Sequence, residues 1–175
     1  KKFELGLIRN HYVGRTFIEP TQNIRSLGVK LKLNSTKTLV KNRSIILIDD
    51  SLVRGTTCHK IVKMLYESGA KEVHVRIACP EIKFPDFYGV DMPTKEELLA
   101  YNKSIAEMCS YIKAKSLEFL SLNGLYKALT DNERNNIYPQ FSDHYFTGDY
   151  PVKPVDNLEG LKIKQLSLLS GRSNN

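Results

Sequence analysis

The alternation of apolar and polar positions is clearest in the second quarter of the chain. Ser44–Ile48 is a short continuous run of isoleucine and leucine, which is typical of a strand buried on both faces of a parallel sheet. Over Thr56–Ser68 the apolar residues recur at helical spacing, and Gly69 follows as a stop signal. Lys71–Ala78 alternates valine and isoleucine with polar residues and predicts a second strand. This strand–helix–strand unit indicates an α/β fold with a mostly parallel sheet flanked by helices.

Shorter elements are predicted beyond Pro80, where prolines and a glycine exclude a long helix. Thr94 is the predicted N-cap of a short helix that ends at Tyr101, because Glu97 three residues later completes a capping box. The remaining predicted elements are a helix over Ser104–Lys113, a strand over Leu117–Leu120 and a helix over Asn123–Leu129.

The change in composition near residue 130 predicts a boundary. We assign residues 1–130 to the α/β domain and residues 131–175 to a C-terminal wrap and flexible tail. Thr130–Asp156 is polar, aromatic and proline-bearing, so we expect it to run over the surface, and we expect the last residues to be disordered. Its aromatic side chains could stack on nucleic-acid bases, but fastening the wrap onto the sheet is the favoured interpretation.

Composition narrows the class of protein. The 175 residues, 41% hydrophobic and 26% charged, suit one globular domain or a large piece of one. We find no apolar run long enough to span a membrane and no signal peptide. The three cysteines are dispersed, which argues against a disulfide framework or a zinc site and predicts a cytoplasmic protein. The net charge of +7 fits nucleic acid or small phosphorylated ligands.

Asp49 and Asp50 directly follow the first predicted strand, where an open α/β sheet binds its ligands. Two adjacent carboxylates repel each other, and a divalent metal or sugar hydroxyls would relieve that repulsion. The next loop, Ser51–Thr57, leads into a helix N-terminus that favours an anion; we call this loop the phosphate cradle. Together these groups predict a site for a ribose phosphate. The alternative is a solvated strand end followed by an ordinary turn.

The string Ile45–Thr57 resembles the phosphoribosyl pyrophosphate (PRPP) binding motif of type I phosphoribosyltransferases. With Arg9–Asn34 and Glu72–Ala100, it makes the chain similar to the glutamine PRPP amidotransferases over about Leu7–Pro151. The resemblance implies a type I phosphoribosyltransferase-like fold, truncated at the N-terminus. Residues 1–130 would form the C-terminal portion of the transferase domain, and the glutaminase domain of the family would be absent.

The resemblance also implies an activity, the transfer of ammonia from glutamine to C1 of PRPP. Pyrophosphate leaves and 5-phosphoribosylamine forms, in the first committed step of de novo purine biosynthesis. The implied metal is Mg²⁺, held by Asp49 and Asp50, and the implied catalytic residues are Arg9 and Tyr12, in a loop that closes over PRPP. The implied substrate-binding residues are Asp49, Asp50, Ser51, Arg54, Gly55, Thr56 and Thr57.

Further expectations concern partners. Purine nucleotides are implied as inhibitors, and a homo-oligomer is implied for the intact enzyme, with no nucleic acid or membrane partner. Because nothing in the chain matches the cysteine nucleophile of the glutaminase domain, we expect the chain alone to be inactive. The alternatives are a regulator of phosphoribosyltransferase fold that senses nucleotides and binds nucleic acid, or another PRPP-dependent transferase.

Some members of the family hold an iron–sulfur cluster through cysteines at positions near Asp86, Ser142 and Tyr145 of this chain, none of which is a cysteine. We therefore expect the purified protein to be colourless and to carry no iron. Visible absorption spectra and iron analysis of protein purified without oxygen test this. Stoichiometric iron with a broad visible band would contradict it.

Overall fold

The computed structural model describes residues 2–9, 33–90 and 94–152, which form two sheets. A short antiparallel pair consists of β1 (Leu7–Arg9) and β2 (Leu33–Ser35). The larger sheet is parallel and has the order β3-β4-β5. Its strands are β3 (Ser44–Asp49), β4 (Glu72–Ile77) and β5 (Ser116–Phe119).

Helices follow the strands of the larger sheet in the order expected of an α/β fold. Apart from a 3₁₀ turn at Lys95–Glu97, they are α1 (Lys37–Val40), α2 (Thr56–Glu67), α3 (Leu99–Asn102), α4 (Ile105–Ile112), α5 (Leu122–Thr130) and α6 (His144–Thr147). Among these described helices, none combines the length and apolar character needed to cross a membrane.

The apolar core lies between one face of the parallel sheet and two helices. Val73 and Val75 of β4 are fully buried, while the residues that alternate with them are only half-buried. Val62 of α2, together with Met108 and Ile112 of α4, fills the space against that face. The predicted strand–helix–strand unit is therefore confirmed, with boundaries within one or two residues.

The prediction that β3 is buried on both faces is wrong for the part of the chain that the structure describes. Ile46 is 38% exposed and Ile48 is 67% exposed, whereas Ile45 and Leu47 are half-buried against the core. The physical reason is that α2 and α4 both pack on the same face of the sheet. The opposite face of β3 has no described helix against it.

The predicted helix from Thr94 to Tyr101 is divided into two pieces. Thr94 and Glu97 form the predicted capping box, but it opens a 3₁₀ turn. Leu98 then has an extended backbone and is fully buried, and α3 begins at Leu99. The next predicted helix, over Ser104–Lys113, forms as α4, and the structure shows that Ser104 caps it by accepting from the Glu107 amide.

The described part of the C-terminal wrap, residues 131–152, packs on the loop after β4 and on α5. The Tyr145 carbonyl accepts from the amides of Lys83 and Phe84, at 2.9 and 3.1 Å. The Tyr150 hydroxyl donates to the Pro85 carbonyl at 2.9 Å. The aromatic residues thus fasten the wrap, but to a loop and a helix instead of the sheet. The tail beyond Val152 lies outside the described residues.

A buried ion pair fixes the start of the wrap. Arg134 donates to Asp143 through Nε at 2.5 Å and through Nη2 at 3.2 Å, and the Tyr126 hydroxyl donates to the same carboxylate at 2.8 Å. Burial by itself raises the pKa of Asp143, but hydrogen bonds from Arg134, Tyr126 and Thr147 outweigh burial and lower it below 3.8. The stabilisation is therefore present above pH 3.8 and is lost as the pH falls through the lower native-state pKa.

Replacing Asp143 by Asn should lower the free energy of unfolding by about 3 kcal/mol, because Arg134 loses its buried counter-charge. Denaturant unfolding at neutral pH measures this. The control is Asp131→Asn at an exposed position, which should change the free energy by less than about 0.5 kcal/mol. As the pH falls below 3.8 toward the lower native-state pKa, the difference between wild type and Asp143→Asn should shrink, since Asp143 is protonated in the unfolded chain before it is in the folded protein. Equal stability of the two variants at neutral pH would contradict the role given to this pair.

Candidate functional site

Two carboxylates lie at the carboxyl end of β3. The Asp49 side chain accepts a hydrogen bond from the Asp50 amide at 3.1 Å, and Ser51 Oγ donates to Asp50 Oδ1 at 3.0 Å. Burial raises the pKa of Asp49, the bond from the Asp50 amide lowers it, and the negative charge of Asp50 raises it again, with a net increase. A half-buried and an exposed carboxylate thus lie side by side at this strand end, and they suit a cation or hydroxyl donors.

The phosphate cradle ends in an open helix N-terminus. Gly55 occupies the N-cap of α2, and no side chain among the described residues caps it. The His59 amide makes the first bond along the helix, to the Gly55 carbonyl at 2.9 Å. The amides of Thr56, Thr57 and Cys58 thus have no acceptor within the helix, and both threonines are exposed. Free amides, hydroxyls and the helix dipole favour an anion here.

Gly55 is needed for packing as well as for access. Its backbone is left-handed, with φ of +73°, and a β-carbon at this position would lie 2.7 Å from Leu99 Cδ2 and 3.0 Å from Tyr111 Cε1. The Leu99 amide also donates to the Val53 carbonyl at 2.9 Å. The cradle is therefore held against α3 and α4 by direct contact. No pattern in the sequence indicates this second requirement.

Arg54, in the middle of the cradle, is paired with Glu97. Its Nε and Nη2 each donate to one carboxylate oxygen, both at 3.3 Å, and the two side chains are about half exposed. The hydrogen bond from Arg54 is the main cause of a lowered pKa at Glu97. The sequence indicates Glu97 only as part of a capping box, because its partner Arg54 lies 43 residues away.

The structure brings together every predicted site residue between Asp49 and Thr57, in one continuous strand end, turn and helix start. The two predicted catalytic residues are placed differently. Arg9 is the last residue of β1, but its side chain is outside the described part. Tyr12 lies wholly outside the described residues. Their roles stay predictions.

The cysteines near the site are poor nucleophiles. Burial and the charge of Asp49 raise the pKa of Cys58 to about 12. Burial is also the main cause that raises the pKa of Cys79, to about 11. Neither thiol ionises near neutral pH, and both lie in or against the apolar core.

Asp86, Ser142 and Tyr145, the positions for which the family resemblance suggested cluster cysteines, lie together around His144. This histidine is 2% exposed; its Nε2 lies 2.8 Å from Asp86 Oδ1 and its Nδ1 lies 2.9 Å from Ser142 Oγ. Burial raises the pKa of Asp86, but hydrogen bonds from two backbone amides, His144 and Tyr145 lower it to about 2. Within residues 2–9, 33–90 and 94–152, no group of three or more histidine, cysteine or acidic side chains is arranged to hold a metal.

Comparison with known proteins gives consistent relatives, although no family model matches the chain. An amidophosphoribosyltransferase from Rhizobium etli is 54% identical over 169 residues, which cover 96% of this chain and 34% of that protein. An amidophosphoribosyltransferase from Staphylococcus aureus is 50% identical and covers 88% of this chain and 31% of that protein. A chloroplastic one from Arabidopsis thaliana is 50% identical, covering 89% of this chain and 27% of that protein.

Solved structures agree. The glutamine PRPP amidotransferase from B. subtilis complexed with ADP and GMP superposes with a TM-score of 0.72 at 46% identity, covering 86% of this chain and 33% of that one. A structure described as the allosteric regulatory enzyme of purine biosynthesis superposes with a TM-score of 0.68 at 45% identity. The match covers 87% of this chain and 32% of that one. The predicted fold is confirmed. The chain spans about a third of the length of its relatives, and it belongs to the amidophosphoribosyltransferase family.

Proposed function

We propose that the chain forms part of an amidophosphoribosyltransferase, which transfers glutamine-derived ammonia to C1 of PRPP and releases pyrophosphate. The product is 5-phosphoribosylamine, the first committed intermediate of purine synthesis. The observation that carries the proposal is the direct continuity of a carboxylate pair with an uncapped helix N-terminus at one strand end. These are the two kinds of group that a ribose phosphate requires. The names of the relatives support the same activity.

The 5′-phosphate of PRPP binds in the phosphate cradle. Its oxygens accept from the free amides of Thr56 and Thr57, and the threonine hydroxyls add further donors. Arg54 contributes positive charge at the edge of the cradle. Since the amides are fixed by α2, the phosphate is held without reorganisation of the protein, which fixes the position of the ribose.

Asp49 and Asp50 would accept from the ribose hydroxyls and would hold Mg²⁺. The residues fit this ion, because Mg²⁺ in proteins takes one or two carboxylates and completes its shell with substrate phosphates and water. Burial is the main cause of the raised pKa of Asp49 and the charge of Asp50 adds to it, and a cation at this place would favour the charged form. When bound, Mg²⁺ supplies positive charge for the departing pyrophosphate.

Little activation of the nucleophile is needed, since ammonia attacks as the free base. A C1–N bond forms while the bond from C1 to the pyrophosphate oxygen breaks, and the surplus proton of the new ammonium group passes to solvent. The chain's own task is to orient the ribose and to keep water away from C1. We assign Arg9 and Tyr12 to the pyrophosphate end, where a guanidinium can bind phosphate oxygens bidentately.

We also propose inhibition by purine nucleotides, a homo-oligomeric complete enzyme and a cytoplasmic location. A purine nucleoside monophosphate also carries a ribose 5′-phosphate, so it would compete with PRPP for the cradle; the B. subtilis relative was complexed with ADP and GMP. A homo-oligomer is proposed for the complete enzyme. The free cysteines favour the cytoplasm.

Changing both Asp49 and Asp50 to Asn should weaken PRPP binding by about 1 to 3 kcal/mol, because charge-assisted bonds to the ribose and the metal are lost. Calorimetry with PRPP and Mg²⁺ measures the affinity. The matched control is Asp131→Asn, at an exposed position directly after α5, which should leave the affinity unchanged. Unchanged affinity in the double variant would exclude the carboxylate pair from the site.

The chain by itself should consume no PRPP with either glutamine or ammonia, because it spans about a third of its relatives. Substituting it for the matching region of the full-length Rhizobium etli relative should restore both reactions. The control is the same chimera with Asp49 and Asp50 changed to Asn. A folded chimera without ammonia-dependent turnover would refute the proposed function, and turnover by the chain alone would refute its dependence on the remaining regions.

A further inference from the structure

The phosphate cradle is braced by a segment that is distant in sequence. The Leu99 amide bonds to the Val53 carbonyl, the Leu99 side chain covers Gly55, and Glu97 pairs with Arg54. The backbone contacts fix the path of the cradle. The side-chain pair fixes something different, namely the direction of the one cationic group that the cradle contains.

Glu97 occupies one edge of the guanidinium of Arg54. Its oxygens accept from Nε and Nη2, at 3.3 Å each, so Nη1 and the second hydrogen of Nη2 stay available to another anion. Both side chains are about half exposed, 49% and 50%, so a ligand can reach the free edge. An arginine can therefore be held by a carboxylate on one edge and donate to a phosphate from another.

Glu97 is itself fixed. Within the capping box it accepts from the Thr94 amide at 3.3 Å, and the Glu97 amide donates to the Thr94 carbonyl at 2.9 Å. The bonds from Arg54 lower the pKa of Glu97, so it is a carboxylate at neutral pH. The acceptor that holds Arg54 is thus itself hydrogen-bonded, as well as charged.

We propose that Glu97 is a positioning residue that orients Arg54 toward a phosphate group bound at the N-terminus of α2. This inference rests on the proposed function and extends it to a residue outside the binding motif. The ligands concerned carry a ribose 5′-phosphate, as PRPP and nucleoside monophosphates do. An unanchored arginine would lose more side-chain freedom on binding, so anchoring raises the affinity.

The opposite role is also chemically possible. A carboxylate beside Arg54 could withdraw its charge from the ligand and repel the phosphate. In that case removal of Glu97 would tighten binding. The two roles predict opposite changes in ligand affinity when Glu97 is removed, so an affinity measurement separates them.

The test uses the full chain, with GMP and with PRPP plus Mg²⁺ as probes in calorimetry. Glu97→Ala should weaken binding of both about 5-fold, the upper range for an exposed ion pair. Glu97→Gln keeps one acceptor oxygen and should fall between wild type and alanine. The matched control is Glu96→Ala, on the adjacent exposed residue, which should bind as wild type does.

Dependence on Arg54 distinguishes positioning from general support of the fold. In an Arg54→Gln background, Glu97→Ala should cause no further loss, because its partner is gone. An equal 5-fold loss in that background would overturn the proposal, as would wild-type or tighter binding by Glu97→Ala. One outcome would refute the role of Glu97 alone. In that outcome the wild-type chain binds the probes, the Asp49/Asp50 double variant binds them more weakly, and Glu97→Ala binds them as wild type does. If wild type binds neither probe, the proposed function fails together with this role.

Discussion

The parallel, in-register pairing of three strands determines where every part of the site lies. Asp49 is aligned with Ile77, and Ile77 with Phe119, so the three strands end at one edge. A chain that leaves β3 there must return to the opposite edge before β4 can begin, and α2 makes that return. The positive end of α2 is therefore placed beside the carboxylates that terminate β3. The β3–α2–β4 crossover thus places the positive end of a helix dipole next to two carboxylates, and it does so without any ligand.

Much of this could be predicted because the information is local. The strand, the cradle and the helix of the motif are continuous in sequence, and their apolar spacing fixes their boundaries within one or two residues. The pairing of Arg54 with Glu97 and the contact of Gly55 with Tyr111 join residues far apart in sequence, so no periodicity indicates them. The exposed face of β3 was mispredicted for a related reason. An apolar run shows that a strand can be buried on both faces, but it does not show what covers each face.

The C-terminal wrap illustrates how polar groups select one docking arrangement. Its tyrosines could pack on many apolar surfaces, and aromatic composition alone led to the expectation that they would lie on the sheet. The buried pairs Arg134–Asp143 and Asp86–His144 are more selective. Another position of the wrap would separate the partners, and an unpaired buried charge is strongly unfavourable. The Tyr126 hydroxyl, which donates to Asp143, and the Asp86–His144 pair fix the wrap on α5 and on the loop after β4. The aromatic rings then contribute packing to a position that the hydrogen bonds have selected.

The close contact at Gly55 has a consequence for how the sequence can diversify. Because a β-carbon there would overlap Leu99 and approach Tyr111, the three positions are not independent of one another. A larger residue at 55 would need smaller side chains at both other positions and a backbone compatible with positive φ. A single substitution at position 55 is therefore not tolerated. Positions 99 and 111 can change only to side chains that still fill the space above a glycine. Combinatorial libraries aimed at the ligand preference of this site should vary 99 and 111 as a pair and leave 55 untouched.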